Sequence, residues 1–210
     1  MLYRFIKRGF DILFSLCTII IIIPIIIIIS LAIKVEDGGD VFFVHSRVGL
    51  KAKHIKIIKF RTMNQRMINP KQSLPMDLYY QYIKEYRLEN DPRETKVGRV
   101  LRRCNLDEIP QFFNVLFGNI SLVGPRPITL DELSFYTKNE QAVLLSIKPG
   151  LTGYWQTYGK QWTSYSDHSR QEMELYYIHN KSVGLDLMII IHTMKQIIKG
   201  VLRELFFCEK

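Results

Sequence analysis

Cysteine is scarce in this chain: Cys17, Cys104 and Cys208 lie far apart among 210 residues. They form neither a CxxC pair nor a disulfide framework, which fits a reducing compartment such as the cytosol. Histidine is sparse too, at five residues, and no HxxxH or HExxH spacing occurs, so a zinc site is not expected. Beyond the N-terminal apolar run, internal repeats and low-complexity tracts are absent, which leaves one domain with a real core and an attachment segment. Acidic residues are the minority charge, 20 against 29 Lys plus Arg, for a formal net charge of +9. That sign suits nucleic acid, anionic lipid or phosphorylated substrates. No helix-turn-helix or zinc-finger pattern supports nucleic acid.

What the chain has in excess is isoleucine, concentrated near its start. Ile12 to Ile33 carries no charge and is long enough to cross a bilayer. It is too long for a signal-peptide core, and no A-x-A cleavage site follows. A single spanning helix is the plain reading. Pro24 sits mid-run, where it removes a backbone donor and kinks a helix. Basic residues flank both ends, Arg4, Lys7 and Arg8 before and Lys34, Arg47, Lys51 and Lys53 after. Positive flanks on both sides favour a helix that enters, bends near Pro24 and leaves by the same face. Residues 1–34 are therefore expected to be a membrane-anchoring helix broken at Pro24. Residues 35–210 are expected to be a catalytic domain at the cytoplasmic face.

The rest reads as an α+β, membrane-associated compact domain with a few short strands. Val41–Val44 and Ile55–Thr62 look like strands joined by a basic turn. Asn64 to Pro75 is a polar linker. Asp77–Leu88 has apolar residues at helical spacing, at Leu78, Tyr82, Ile83 and Tyr86. A helix from about Ile109 to Phe117 stops at Gly118, and another covers Asp131 to Leu145. The final segment, "LDLMIIIHTMKQIIKGVLRELFF", places His192, Lys195, Gln196, Lys199 and Arg203 three or four apart. That is one polar, mainly basic stripe on an apolar helix. It forbids spanning and suits either packing on the core or lying in the membrane interface.

The chemistry concentrates in "NLDEIPQFFNVLFGNISLVGPRP", Asn105 to Pro127. Asn105 with Glu108 three residues on reads as a capping box, and Pro110 is tolerated in a first helical turn. Capping uses one carboxylate, and here Asp107 and Glu108 stand side by side. Two carboxylates near free backbone N–H groups suit Mg²⁺, which takes one or two carboxylates plus substrate phosphates. They also suit a carboxylate nucleophile that attacks phosphorus. Arg126 is held between Pro125 and Pro127, so its guanidinium loses little entropy on gripping a phosphate. One short helix–turn–strand joins the two motifs, which lets them converge.

The stretch "RRCNLDEIPQFFNVLFGNISLVGPRP" resembles the defining motif of the bacterial sugar transferases, the monotopic polyprenyl-phosphate phosphoglycosyl transferases. The likeness covers nearly the whole chain. "FIKRGFDI" precedes the apolar run, and "FFVHSRVGL", "IIKFRTM", "ENDPRETKVGRVLR", "IKPGLTGYWQ", "YYIHN" and "LDL" follow in the family's order. The chain resembles the minimal catalytic unit, without the extra membrane domain of larger members. The resemblance implies transfer of a sugar phosphate from a UDP-sugar to undecaprenyl (polyprenyl) phosphate, releasing UMP. This is the initiating step of capsule, exopolysaccharide, O-antigen or glycoprotein glycan assembly. It implies a bacterial inner-membrane location with membrane lipids as partners and no nucleic acid. Asp107 matches the nucleophile that forms a covalent intermediate, and Glu108 its partner, with which it holds Mg²⁺. Arg126 matches the phosphate-binding arginine, and Arg102, Lys59 and Arg61 match basic positions near the phosphates. Lys59 and Arg61 also fit a solvated strand face.

Some positions depart from the pattern. Lys160 replaces an arginine and loses its bidentate geometry, and Glu174, four after Arg170, stands where aspartate is usual. Lys160, Arg170 and Glu174 are the positions expected near the nucleotide sugar. Ile23 replaces the usual serine before Pro24. Tyr154, Trp155, Tyr158, Trp162 and Tyr165 fit a base-stacking surface, a headgroup belt or an aromatic core. A conventional metal-dependent glycosyltransferase would carry an Asp-x-Asp motif, and none exists. The rival classes are a lipid-phosphate phosphatase and a membrane-tethered basic binding protein.

Overall fold

The computed structural model describes residues 2–67, 69–86, 88 and 90–206; Cys208 lies outside them. The fold is α+β and mostly helical, with four short strands in two pairs among the described residues. It begins with α1, Leu2–Asp37, a helix of 36 residues. This helix is long and apolar enough to cross a membrane. Asp11, Ser15, Ile19, Ile29 and Ile33 are its buried residues. At about 100° per residue they share one face, and Pro24 lies about 180° from it, exposed among exposed isoleucines.

Both ends of α1 are fastened to the same body. Near its start, the Arg8 guanidinium donates to the carbonyls of Val115 and Leu116, both at 2.8 Å. Asp11 accepts from Ser121 Oγ (2.8 Å) and Leu122 N (3.0 Å). At its end, the Glu36 carboxylate accepts from the amides of Lys96 (2.6 Å) and Val97 (3.2 Å). The expected break at Pro24 is corrected: the helix continues through the proline and on to Asp37, three residues beyond the expected limit. Proline deletes one backbone donor, and its ring here faces outward, so the remaining ladder persists. A proline bends a helix away from its own side, so any bend at Pro24 closes toward the protein.

Strands β1 (Phe42–Val48) and β2 (His54–Phe60) form an antiparallel hairpin in register from Phe42↔Phe60 to Val48↔His54. The observed strands overlap the expected ones and extend β1 by four residues. The linker that follows holds one helical turn, α2 (Pro70–Ser73), and leads into α3 (Met76–Glu85). The helix expected over Asp77–Leu88 thus ends three residues early, at the left-handed Tyr86. Helix α4 (Lys96–Arg103) starts at a Thr95 cap, and α5 (Gln111–Leu116) stops at Gly118, whose φ of +80° is strained for any side chain. Asn114 ties α5 to the hairpin, donating to the Lys56 carbonyl (2.7 Å) and accepting from Ile58 N (3.0 Å).

Strand β3 (Ser121–Val123) is the strand expected between the two motifs, and it pairs in parallel with β4 (Gly150–Thr152), which the sequence pattern did not signal. The expected helix over Asp131–Leu145 is two: α6 (Leu130–Leu133) and α7 (Lys138–Leu144). Thr129 with Glu132 and Thr137 with Glu140 each form a capping box, and the second box starts a new helix. Then come α8 (Tyr154–Tyr158), α9 (Ser169–Asn180) and α10 (Val183–Phe206). The main core joins Ile57, Val115, Ile120, Leu122, Val123, Tyr177 and Ile189. Asp186 of α10 accepts from Tyr3 (2.9 Å), Lys7 (2.6 Å) and Tyr177 (2.7 Å), locking α10 to the start of α1.

Candidate active site

The acidic pair does not cap a helix. Asn105 adopts a left-handed conformation (φ 56°) and makes no side-chain cap bond, and Leu106–Glu108 form one 3-10 turn ahead of α5. The capping reading of Asn105 and Glu108 is therefore corrected. The turn instead aims both carboxylates at a cavity of about 950 Å³. The same cavity is walled by Lys59 of β2, Arg102 of α4, Arg126, Lys160 and Arg170.

The two carboxylates are in different states. Glu108 Oε1 accepts from Lys59 Nζ at 2.6 Å. Burial alone would raise its pKa, but Lys59 and Arg126 outweigh burial and hold it well below the usual carboxylate range. Asp107 moves the other way: burial pushes it up, and Glu108 adds to the rise against the pull of Lys59, Arg102 and Lys160. Among the described residues none hydrogen-bonds the Asp107 carboxylate. One carboxylate is pinned and the other is open to whatever enters.

Arg126 is positioned by its backbone. Its N–H donates to both oxygens of Glu174 at 3.2 Å, and its guanidinium lies 5.7 Å from the Trp155 ring centre. Glu174 is buried away from the cavity lining, where burial raises its pKa to about 7. Arg170 is buried between the rings of Trp155 and Tyr165, 3.9 Å from each, and its Nε has no hydrogen-bond partner among the described residues. Lys160 Nζ donates to Asn105 Oδ1 at 3.1 Å, beside the acidic turn. Arg102 enters the cavity wall already paired with Glu94 at 2.6 Å.

Arg61 does not join them. It is buried, bidentate to Asp37 at 2.5 and 2.6 Å, and bonded to the Asp40 and Met63 carbonyls. Its expected phosphate-binding role is corrected: this guanidinium fastens the end of α1 to the end of β2. Of the five aromatic candidates, Trp155, Tyr158 and Trp162 line the cavity, while Tyr154 and Tyr165 pack into the core.

Sequence reasoning missed the support beneath the site. Glu132 accepts from Arg47 Nη1 (2.6 Å), Thr129 N (2.8 Å), Tyr165 OH (3.2 Å) and Arg170 Nη2 (3.4 Å). Its carboxylate would rise on burial, but Arg47, Arg126 and Arg170 hold it down to about 2. The sequence places Arg47 on a membrane flank and in a basic turn, and neither position signals a buried partner. The signal for Glu132 was its place in a Thr-x-x-Glu box, which points to capping and not to a buried charge cluster.

The profile of the bacterial sugar transferases matches residues 2–200. The chain belongs to that family. The exopolysaccharide production protein ExoY of Rhizobium meliloti is 38% identical over 197 residues, 90% of this chain and 83% of its own length. The undecaprenyl-phosphate galactose phosphotransferase of Salmonella typhimurium is 38% identical over 93% of this chain and 41% of its own length. The UDP-glucose:undecaprenyl-phosphate glucose-1-phosphate transferase of Escherichia coli is 37% identical over 91% of this chain and 40% of its own length. The chain thus spans about two fifths of the longer relatives. As a bacterial sugar transferase it carries the acidic pair, Arg126 of the GPRP turn and the basic wall around one cavity.

Proposed function

We propose that this chain is a phosphoglycosyl transferase that moves a sugar phosphate from a UDP-sugar to polyprenyl phosphate and releases UMP. The observation that carries the reading is the open Asp107 carboxylate beside the pinned Glu108, in a cavity walled by Arg102, Arg126, Lys59 and Lys160. The names of the Salmonella and Escherichia coli relatives support the two substrates.

An oxygen of Asp107 attacks the phosphorus that bears the sugar. The bond to the bridging oxygen breaks, UMP leaves with the electron pair, and the sugar phosphate stays on Asp107. An oxygen of the lipid phosphate then attacks the same phosphorus and the carboxylate leaves. Arg126 and Lys160 lower the repulsion between the nucleophile and the diphosphate. Lys59 holds Glu108 aside, which keeps the pair from sharing one proton.

Asp107 and Glu108 are the residues that would hold Mg²⁺. Among the described residues no three His, Cys, Asp or Glu side chains cluster as a metal cage. Two carboxylates fit an ion that draws its other ligands from phosphate and water. When bound, it would neutralise the diphosphate. Activity is expected to vanish with chelator and return with Mg²⁺; full turnover in excess chelator removes the ion from the reading. The site would lie on the cytoplasmic face of the inner membrane.

The deciding experiment is exchange. Purified protein should move labelled UMP into a UDP-sugar with no polyprenyl phosphate present, because the first half-reaction needs only the donor. Asp107→Asn should fold and lose both exchange and net transfer, while Glu108→Gln keeps a residue of each. General-base help is worth about 10²–10⁴-fold, so measurable turnover by Asp107→Asn would make Asp107 a base and not the nucleophile. Exchange that requires the lipid would establish direct displacement.

A further inference from the structure

The cavity has a second basic margin, remote in sequence from the acidic pair. On the α10 side it is walled by Met194, Ile197, Lys199 and Arg203. The outer side of that helix carries a shallower groove of about 430 Å³, lined by Lys195, Ile198, Lys199, Leu202 and Arg203. Lys199 and Arg203, one helical turn apart, belong to both. They join the cavity that holds Asp107 to the outer groove.

The charges along this margin are unevenly satisfied. Arg102 is held by Glu94 at 2.6 Å and Arg103 by Glu204 at 3.4 Å. Among the described residues no carboxylate pairs with Lys195, Lys199 or Arg203. Between these cations stand Ile198 and Leu202, 53% and 46% exposed. Cations without counter-charges, alternating with bare aliphatic side chains, match a phosphate monoester on a hydrocarbon chain. Inorganic phosphate would use the cations and leave Ile198 and Leu202 in water. A nucleotide would have no use for the outer groove.

We propose that Lys199 and Arg203 capture the phosphate of the prenyl-phosphate acceptor, with its chain leaving along Ile198 and Leu202 and Lys195 at the outer rim. The proposal rests on the transferase reading and adds where the second substrate enters. It also meets a need of the two-step route. Once the sugar phosphate sits on Asp107 beside Arg126, the incoming lipid phosphate needs cations of its own, and α10 offers them along the path from the surface.

The test uses the purified full chain in detergent and the double variant Lys199→Gln/Arg203→Gln, which alters only helix-surface side chains. Equilibrium binding of labelled undecaprenyl phosphate should weaken at least about tenfold, as expected for lost charge-assisted contacts. The acceptor KM should rise by a similar factor. UMP exchange without lipid and the UDP-sugar KM should stay within about twofold, since both report the Asp107 end of the cavity. Lys199→Arg/Arg203→Lys should restore acceptor binding. Excess phosphatidylglycerol should compete poorly in the wild type. Unchanged lipid binding, or a fall in exchange as large as the fall in transfer, overturns the proposal. Full displacement by phosphatidylglycerol would make the margin a general anionic-lipid contact. If no UDP-sugar turns over even in the wild type, the transferase reading fails while the lipid-binding arm still reads the subsite.

Discussion

Lys59 decides which of two neighbouring carboxylates is free. It reaches from β2 to Glu108 at 2.6 Å and leaves Asp107 without a hydrogen bond among the described residues. The same economy of partners governs Glu174. Burial raises its pKa to about 7, while its two oxygens hold the Arg126 N–H. An acid whose folded pKa is raised keeps its proton where the unfolded chain has lost it. The stability it contributes is therefore complete below its ordinary pKa of 4.5 and is lost as pH rises through about 7. The Glu174 contribution should fall between pH 5 and pH 8 by the equivalent of on the order of 3 kcal/mol of stability, read as the difference between the wild type and Glu174→Gln. Glu174→Gln should flatten that loss. A variant with the same slope as the wild type would remove Glu174 as its source. Glu132, held down to about 2, acts only below pH 4.5, whereas His45, lowered to about 4 chiefly by burial, adds stability as pH rises toward 6.5 and cancels only in the comparison of wild type with variant. These residues also mark the limit of what was legible. Asp107, Glu108, Lys59 and Arg126 could be read because their spacing or the family pattern selected them. Arg61 and Glu132 could not, because sequence gives a side chain's charge and only the fold gives its partner.

At the scale of elements, the site depends on close approaches that short strands make possible. A Cβ on Gly150 would lie 2.1 Å from Gly124 N, inside the backbone that leads to Arg126. Gly150→Ala must push β4 away from the GPRP turn. Overpacking of this kind costs about 1–3 kcal/mol, so the variant should unfold at a lower temperature and show a reduced kcat as Arg126 moves. Unchanged stability and turnover would show that the turn is positioned by Glu174 alone. Strand β4 and its pairing with β3 escaped the sequence reading because three residues are too few to display a period. The split between α6 and α7 escaped for another reason. Apolar spacing continues across both helices, and only the Thr137 box, with Glu140 bonded back to the Thr137 amide at 2.8 Å, marks the restart. The hairpin, α3, α5 and α10 were legible because each keeps its period or its stop signal over enough residues.

At the scale of the whole molecule, α1 is clamped at both ends to one body, by Arg8 and Asp11 at its start and by Glu36 and Asp37 at its end. Between the clamps, the face that includes Pro24 carries exposed Ile20, Ile21, Ile23, Ile27 and Ile28. A helix that crossed the bilayer would need its two ends in different aqueous phases, yet the partners of both ends lie in the same domain. Leaving Ser121, Lys96 and Arg61 on opposite sides of a membrane would strand charged and backbone groups in hydrocarbon, where each costs several kcal/mol. Both ends of α1 should therefore lie on the same side of a membrane, which on the proposed reading is the cytoplasmic one. Arg4 and Asp40 are exposed positions beside the two clamps. With Cys17, Cys104 and Cys208 replaced, single cysteines at 4 and 40 should both resist a membrane-impermeant thiol reagent added outside intact cells. Both should react once the inner membrane is opened. Labelling of position 4 alone from outside would restore a spanning helix, and the contacts of Arg8 and Asp11 would then have to break on insertion.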